Sequence, residues 1–112
     1  MMSAATTTTT KGTTMLPKHR EPTHPGEMLL DFLDGAAPPV TQQEAADRMG
    51  VPFQRLNAIV KGRRGVSADT ALLLSALTTT TPEFWMNLQA TWDLWHALRA
   101  RGGKAPKVRA IA

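Results

Sequence analysis

The 112-residue chain contains no cysteine. That single absence excludes disulfides, thiolate zinc sites and cysteine nucleophiles. Long apolar runs are missing too: the best, Ala71 to Leu74, falls far short of the ~18 residues that a membrane span requires. The first 20 positions hold no acid, yet the threonine run Thr6–Thr10 makes neither a signal-peptide core nor an Arg-rich amphipathic helix. No segment alternates apolar and polar residues long enough to form a strand. These absences predict a soluble, cytoplasmic, all-α chain that makes no membrane contact.

Apolar residues make up 42% and charged residues 20%, so part of the chain must pack. Residues 1–22 carry the threonine run, Gly12, Pro17 and Pro22 without periodicity, and read as a disordered tail. Residues 101–112 are basic, have little to bury, and read as a second flexible tail. One domain over residues 23–100 remains. At that size a monomeric core is thin, and pairing with a second copy is a natural remedy.

The net charge of +4 hides a sharper distribution. Residues 1–23 sum to +2 and residues 99–112 to +5, whereas residues 24–98 sum to −3. Every basic residue of that acidic middle (Arg48, Arg55, Lys61, Arg63, Arg64) lies within a 17-residue window, and no acid intervenes. A solvated face is the ordinary reading of a charge run, but random scatter would mix the signs. Phosphate recognition calls for this arrangement, because each neutralised phosphate releases counterions.

Glycine and proline divide the middle into short segments with helical spacing. A first helix opens at His24-Pro25-Gly26-Glu27, carries Met28, Leu29, Phe32 and Leu33 on one stripe, and breaks at Gly35 and Pro38-Pro39. Thr41 and Glu44 have the spacing of a reciprocal capping box, which starts a second helix that ends at Gly50. Pro52 fits the first turn of a third helix, with Leu56, Ile59 and Val60 inward and Gly62 at its end. Ser67 caps a fourth, Ala68 to about Leu77, and Thr81-Pro82-Glu83 starts a fifth. Five helices are expected.

The second and third of these carry the functional signal. Gln42, Ala46, Gly50, Leu56 and Ile59 stand at relative positions 1, 5, 9, 15 and 18 of a helix-turn-helix. Ala46 is small where the third helix crosses, Gly50 opens the turn, and Leu56 with Ile59 anchors the third helix. Phe53, Gln54, Asn57, Ala58 and Lys61 are then expected to face outward, toward base edges in a major groove. Gln54 and Asn57 are amides suited to adenine, and Arg55 can reach guanine or a phosphate. Gln42, Arg63 and Arg64 are placed to meet the backbone. A helical hairpin that packs without binding DNA is the plainer alternative.

Beyond these positions, His24-Pro25-Gly26-Glu27, Gly50-Val51-Pro52, Asn57 with Lys61-Gly62-Arg63-Arg64-Gly65, Ala68-Asp69-Thr70-Ala71-Leu72 and Pro82-Glu83-Phe84-Trp85-Met86-Asn87-Leu88-Gln89 together resemble the HigA antitoxins of the Xre/Cro group. The resemblance spans about residues 24–98. It implies a five-helix, lambda-repressor-like helix-turn-helix domain that acts as a homodimer, represses its own operon and binds a RelE-like, HigB-type messenger-RNA interferase toxin. It also implies a bacterial cytoplasmic protein, on the nucleoid when bound to its double-stranded operator. A stand-alone Xre-type repressor without a toxin is the alternative. Thr78-Thr79-Thr80 departs from the family, which usually has aromatic residues and glycine there.

On this reading Phe84, Trp85, Leu88, Trp92 and Trp95 form core or dimer seam, and the seam is the expectation adopted. Elimination then leaves the first helix for the toxin. A toxin that grips RNA is basic, and Glu27, Asp31 and Asp34 offer the opposite charge. A catalytic role is not expected: a ribonuclease toxin needs a sheet, and no strands are visible. His24 is read as a cap or packing residue, and neither His19 nor His96 has a partner at metal-binding spacing. No metal or cofactor is expected.

Overall fold

A computed structural model describes residues 20–111; the threonine run and His19 lie outside these residues. Five helices follow one another: α1 (Pro25–Gly35), α2 (Gln42–Met49), α3 (Phe53–Val60), α4 (Ala68–Thr78) and α5 (Pro82–Ala100). No strand occurs among the described residues, and no helix there is long and apolar enough to cross a membrane.

Every helix except α3 starts where a side chain takes an orphan amide. Thr41 accepts from the Glu44 amide at 3.1 Å and Thr81 from the Phe84 amide at 3.2 Å. Ser67 accepts from the Thr70 amide at 3.3 Å. The capping box at Thr41 forms only this half, because the Glu44 carboxylate pairs with Arg48 one turn on. Pro52 stands just before α3, as its cap residue, rather than inside it.

The opening of α1 explains the His24-Pro25-Gly26 triplet. His24 Nδ1 accepts from the Gly26 amide at 2.9 Å, and its ring meets the edge of Trp92 at 4.7 Å between centroids. Gly26 faces the last turn of α3 so closely that a β-carbon would lie 2.0 Å from the Ile59 carbonyl oxygen. Only a residue without a side chain lets α1 and α3 touch there.

Burial pushes the His24 imidazole below its usual pKa; Glu27, Asp93 and Glu21 oppose that shift, and His96 adds to it. A lowered folded-state value means that protonation favours the unfolded chain. The neutral cap's stabilisation is complete above pH ~6.5 and declines as pH falls from there through the folded-state pKa. A His24→Asn variant, which keeps an acceptor cap, is expected to lose this part of the acid sensitivity. Thermal melts of both proteins between pH 7.5 and pH 5 check it.

The core is contiguous. Leu29 and Leu33 of α1, Ala45 and Ala46 of α2, and Leu56 and Ile59 of α3 are buried with Ala71 and Leu74 of α4 and Trp85 of α5. Trp85 is fully enclosed within one protomer, contrary to its expected place in a dimer seam. Its ring packs on Phe32 and Phe84, and its indole N–H donates to Thr80 Oγ1 at 2.9 Å. Thr80 reaches that position because Thr79 ends α4 in the left-handed conformation, φ 56°, which glycine ordinarily takes. Trp92 also turns inward, against His24 and His96, and Trp95 packs on His96 beneath the Arg99 guanidinium. The aromatic face of α5 is thus largely covered by the protomer's own chain.

Candidate nucleic-acid interface

The α2–α3 pair has the geometry expected of a helix-turn-helix. Gly50 closes α2 at φ 71°, and the Val51 amide donates to the Ala46 carbonyl at 3.0 Å, which turns the chain sharply into α3. Leu56 and Ile59 are buried beneath α3, and Ala46 is buried below them. The opposite side of α3 is left open: Phe53 is 38% exposed and Gln54 and Lys61 are exposed. The open phenylalanine at the helix start can make apolar contact with the methyl group of thymine.

Three expected contact residues are already engaged within the protomer. Asn57 Nδ2 donates to Gln42 Oε1 at 3.0 Å, tying the first residue of α2 to α3. The two amides therefore present one joined surface, and Ala58 beside them is half-buried. Arg55 departs further from expectation. Its guanidinium donates to Thr70 Oγ1 at 2.6 Å and lies 4.0 Å from the Asp69 carboxylate. One turn before buried Ile59, it lies beside the inward stripe of α3 and braces α4 instead of reaching outward. Asp69 offsets the cost of a cation at the α4 N-terminus.

The loop after α3 completes the basic surface. Lys61, Arg63 and Arg64 are all exposed, and none has an ion-pair partner among the described residues. Backbone bonds shape this loop: the Arg63 and Arg64 amides both donate to the Ala58 carbonyl, at 2.8 and 3.2 Å. At its far end the Val66 amide donates to Gln89 Oε1 of α5 at 2.7 Å. Sequence reasoning quotes Gln89 only as the last residue of the Pro82–Gln89 block and gives it no role; the further signal is a polar residue inside the inward stripe of α5, one turn after Trp85.

The acidic trio lies elsewhere. Glu27, Asp31 and Asp34 are all exposed on α1, with Glu27 and Asp31 one turn apart. Asp31 also borders a cleft of about 370 Å³ together with Phe32, Val40, Arg48 and Leu77. No cluster of three or more His, Cys, Asp or Glu suited to a metal occurs among the described residues. His96 does have an acidic neighbour in space, the Glu21 carboxylate at 2.9 Å, which sequence spacing could not reveal.

A helix-turn-helix family profile matches residues 40–85, which contain α2, α3 and α4 and the start of α5. The chain is 43% identical over 76 residues to virulence-associated protein A' of Dichelobacter nodosus, covering 67% of this chain and 64% of that protein. It is 38% identical over 78 residues to antitoxin HigA-1 of Vibrio cholerae, covering 68% of this chain and 70% of the relative. The match thus spans about two thirds of each relative's length. The Pseudomonas aeruginosa antitoxin HigA, solved with the higBA promoter, superposes with a TM-score of 0.72 at 34% identity, covering 82% of this chain and all of that one. The Vibrio cholerae and Pseudomonas aeruginosa proteins are both HigA antitoxins by name. The chain belongs to the HigA antitoxins of the Xre-type helix-turn-helix family.

Proposed function

We propose that this chain is the antitoxin of a HigBA-type module. It represses its own operon by sequence-specific binding of double-stranded operator DNA, and it neutralises a RelE-like messenger-RNA interferase. The observation that carries the DNA part is the open side of α3, Phe53 and Gln54, continued by exposed Lys61, Arg63 and Arg64. A helix of this kind lies in the major groove while the flanking cations grip phosphates. The complex of the Pseudomonas HigA with its promoter supports the same use here.

A homodimer presents two such helices to a near-palindromic site. With Trp85 enclosed, its seam falls to apolar residues that the fold leaves open, Leu72 on α4 and Met86 and Leu94 on α5. The toxin is assigned to α1, where Glu27, Asp31 and Asp34 stand exposed on a helix other than α3. Both partners can then bind at once.

The test is co-expression with the neighbouring reading frame. The wild-type chain is expected to co-purify with it and to relieve its toxicity. A double reversal, Glu27→Lys with Asp31→Lys, is expected to abolish both effects while DNA binding persists. If deleting residues 1–22 abolishes neutralisation and the reversal spares it, the assignment to α1 is wrong. DNA binding with no toxin at the locus marks a stand-alone repressor.

A further inference from the structure

The loop that carries Arg63 and Arg64 is held at both ends, and the second hold comes from a helix that is not part of the helix-turn-helix. On the α3 side, the Arg63 and Arg64 amides close onto the Ala58 carbonyl. On the other side Gln89 reaches across from α5. The residue is 9% exposed, its Oε1 accepts from the Val66 amide at 2.7 Å, and its Nε2 donates to Asp93 Oδ1 at 2.9 Å. The second bond fixes which way the amide points, so an acceptor always faces Val66. Gly65 lies directly against this amide: a β-carbon there would come within 2.9 Å of it. Between the two holds, residues 61–65 are exposed.

We infer that Gln89 is a positioning residue for DNA binding, holding the Arg63–Arg64 loop in the register that meets the phosphate backbone. The inference rests on the DNA-binding reading above. Without the Gln89 carbonyl the buried Val66 amide has no acceptor and must move toward water to find one. Val66 and Gly65 then leave their places, and the two arginines lose the fixed spacing that lets both engage phosphates together. Gln89 thereby couples α5 to the DNA surface without touching DNA.

The experiment uses the full chain and a random-sequence DNA duplex. It records how the binding constant varies with salt, and the Val66 amide exchange rate by NMR. In Gln89→Leu, Val66 exchange is expected to rise about tenfold, matching the removal of one buried hydrogen bond. The slope of log K against log salt is expected to flatten by about one to two units, one for each phosphate no longer neutralised. Gly65→Ala, whose added methyl displaces only the end of the Gln89 side chain, is expected to flatten the slope likewise. It serves the same test should Gln89→Leu fail to fold. The Q89E/D93N pair keeps an acceptor for Val66 and exchanges donor for acceptor at the second bond, and is expected to restore both readouts. Faster Val66 exchange with an unchanged slope would overturn the positioning role while leaving DNA binding intact. Absence of salt-dependent binding by the wild-type chain would overturn the DNA-binding reading and, with it, the role of Gln89.

Discussion

Gly26→Ala is expected to destabilise the chain by more than about 4 kcal/mol, a severe loss for a single methyl group. The added carbon would stand 2.0 Å from the Ile59 carbonyl oxygen, 2.8 Å from its carbon and 2.9 Å from Val60 Cα. All three are backbone atoms of α3, so no side-chain rotation relieves the clash. The two helices must separate, which opens Leu29 and Ile59 and undoes the His24 cap beside them. A domain this small has little stability in reserve. Thermal melting should show a transition lowered by roughly 20 °C or no cooperative transition at all. Gly35 is the matched control: nothing lies within 4 Å of an added β-carbon there, so Gly35→Ala should melt like the wild type or slightly higher. Equal melting temperatures for the two variants would contradict the close approach of α1 and α3.

Trp85→Ala is the second large effect, expected to cost about 3–5 kcal/mol. The ring is fully buried, packs on both Phe32 and Phe84, and spends its N–H on Thr80. Its removal leaves a cavity between α1 and α5 and takes from the Thr80 hydroxyl one of its two partners, the other being the Thr78 hydroxyl. Trp95→Ala, at a half-exposed position, should cost far less. Urea unfolding of the two variants checks the contrast. Trp85 fluorescence should also resist an aqueous quencher at protein concentrations where the chain is monomeric, since its shield is its own protomer. Quenching of Trp85 on dilution would return it to the dimer seam.

The local signals in the sequence are strong wherever one residue does one job. Thr41, Ser67 and Thr81 cap the helices they precede, and Gly50 takes the left-handed turn. Ala46, Leu56 and Ile59 are buried as their positions require. What the sequence hides is which partner a side chain chooses when several are in reach. Periodicity puts Trp85 and Trp92 on one face of α5, but not whether that face meets α1 or a second copy. Arg55 sits in a basic window, and only the approach of Thr70 from α4 shows that it turns inward. Asn57 and Gln42 are 15 residues apart, and their bond exists because α2 and α3 cross. The bond between Gln89 and Val66 is hidden for the same reason, since the two lie 23 residues apart.

Direct reading of DNA by α3 is tested most sharply by Gln54, which is exposed and whose removal leaves the Asn57–Gln42 pair and the core in place. The measurement compares wild-type and Gln54→Ala dissociation constants for two duplexes at one salt concentration: the best site selected from a random pool, and a random sequence. Affinity for the selected site should fall by about 1–3 kcal/mol, roughly five- to 150-fold, because the alanine cannot form the bidentate bond pair to a base. Affinity for the random duplex should stay unchanged, since phosphate contacts carry it. An equal loss on both duplexes, or no loss on either, would contradict base reading by this face of α3.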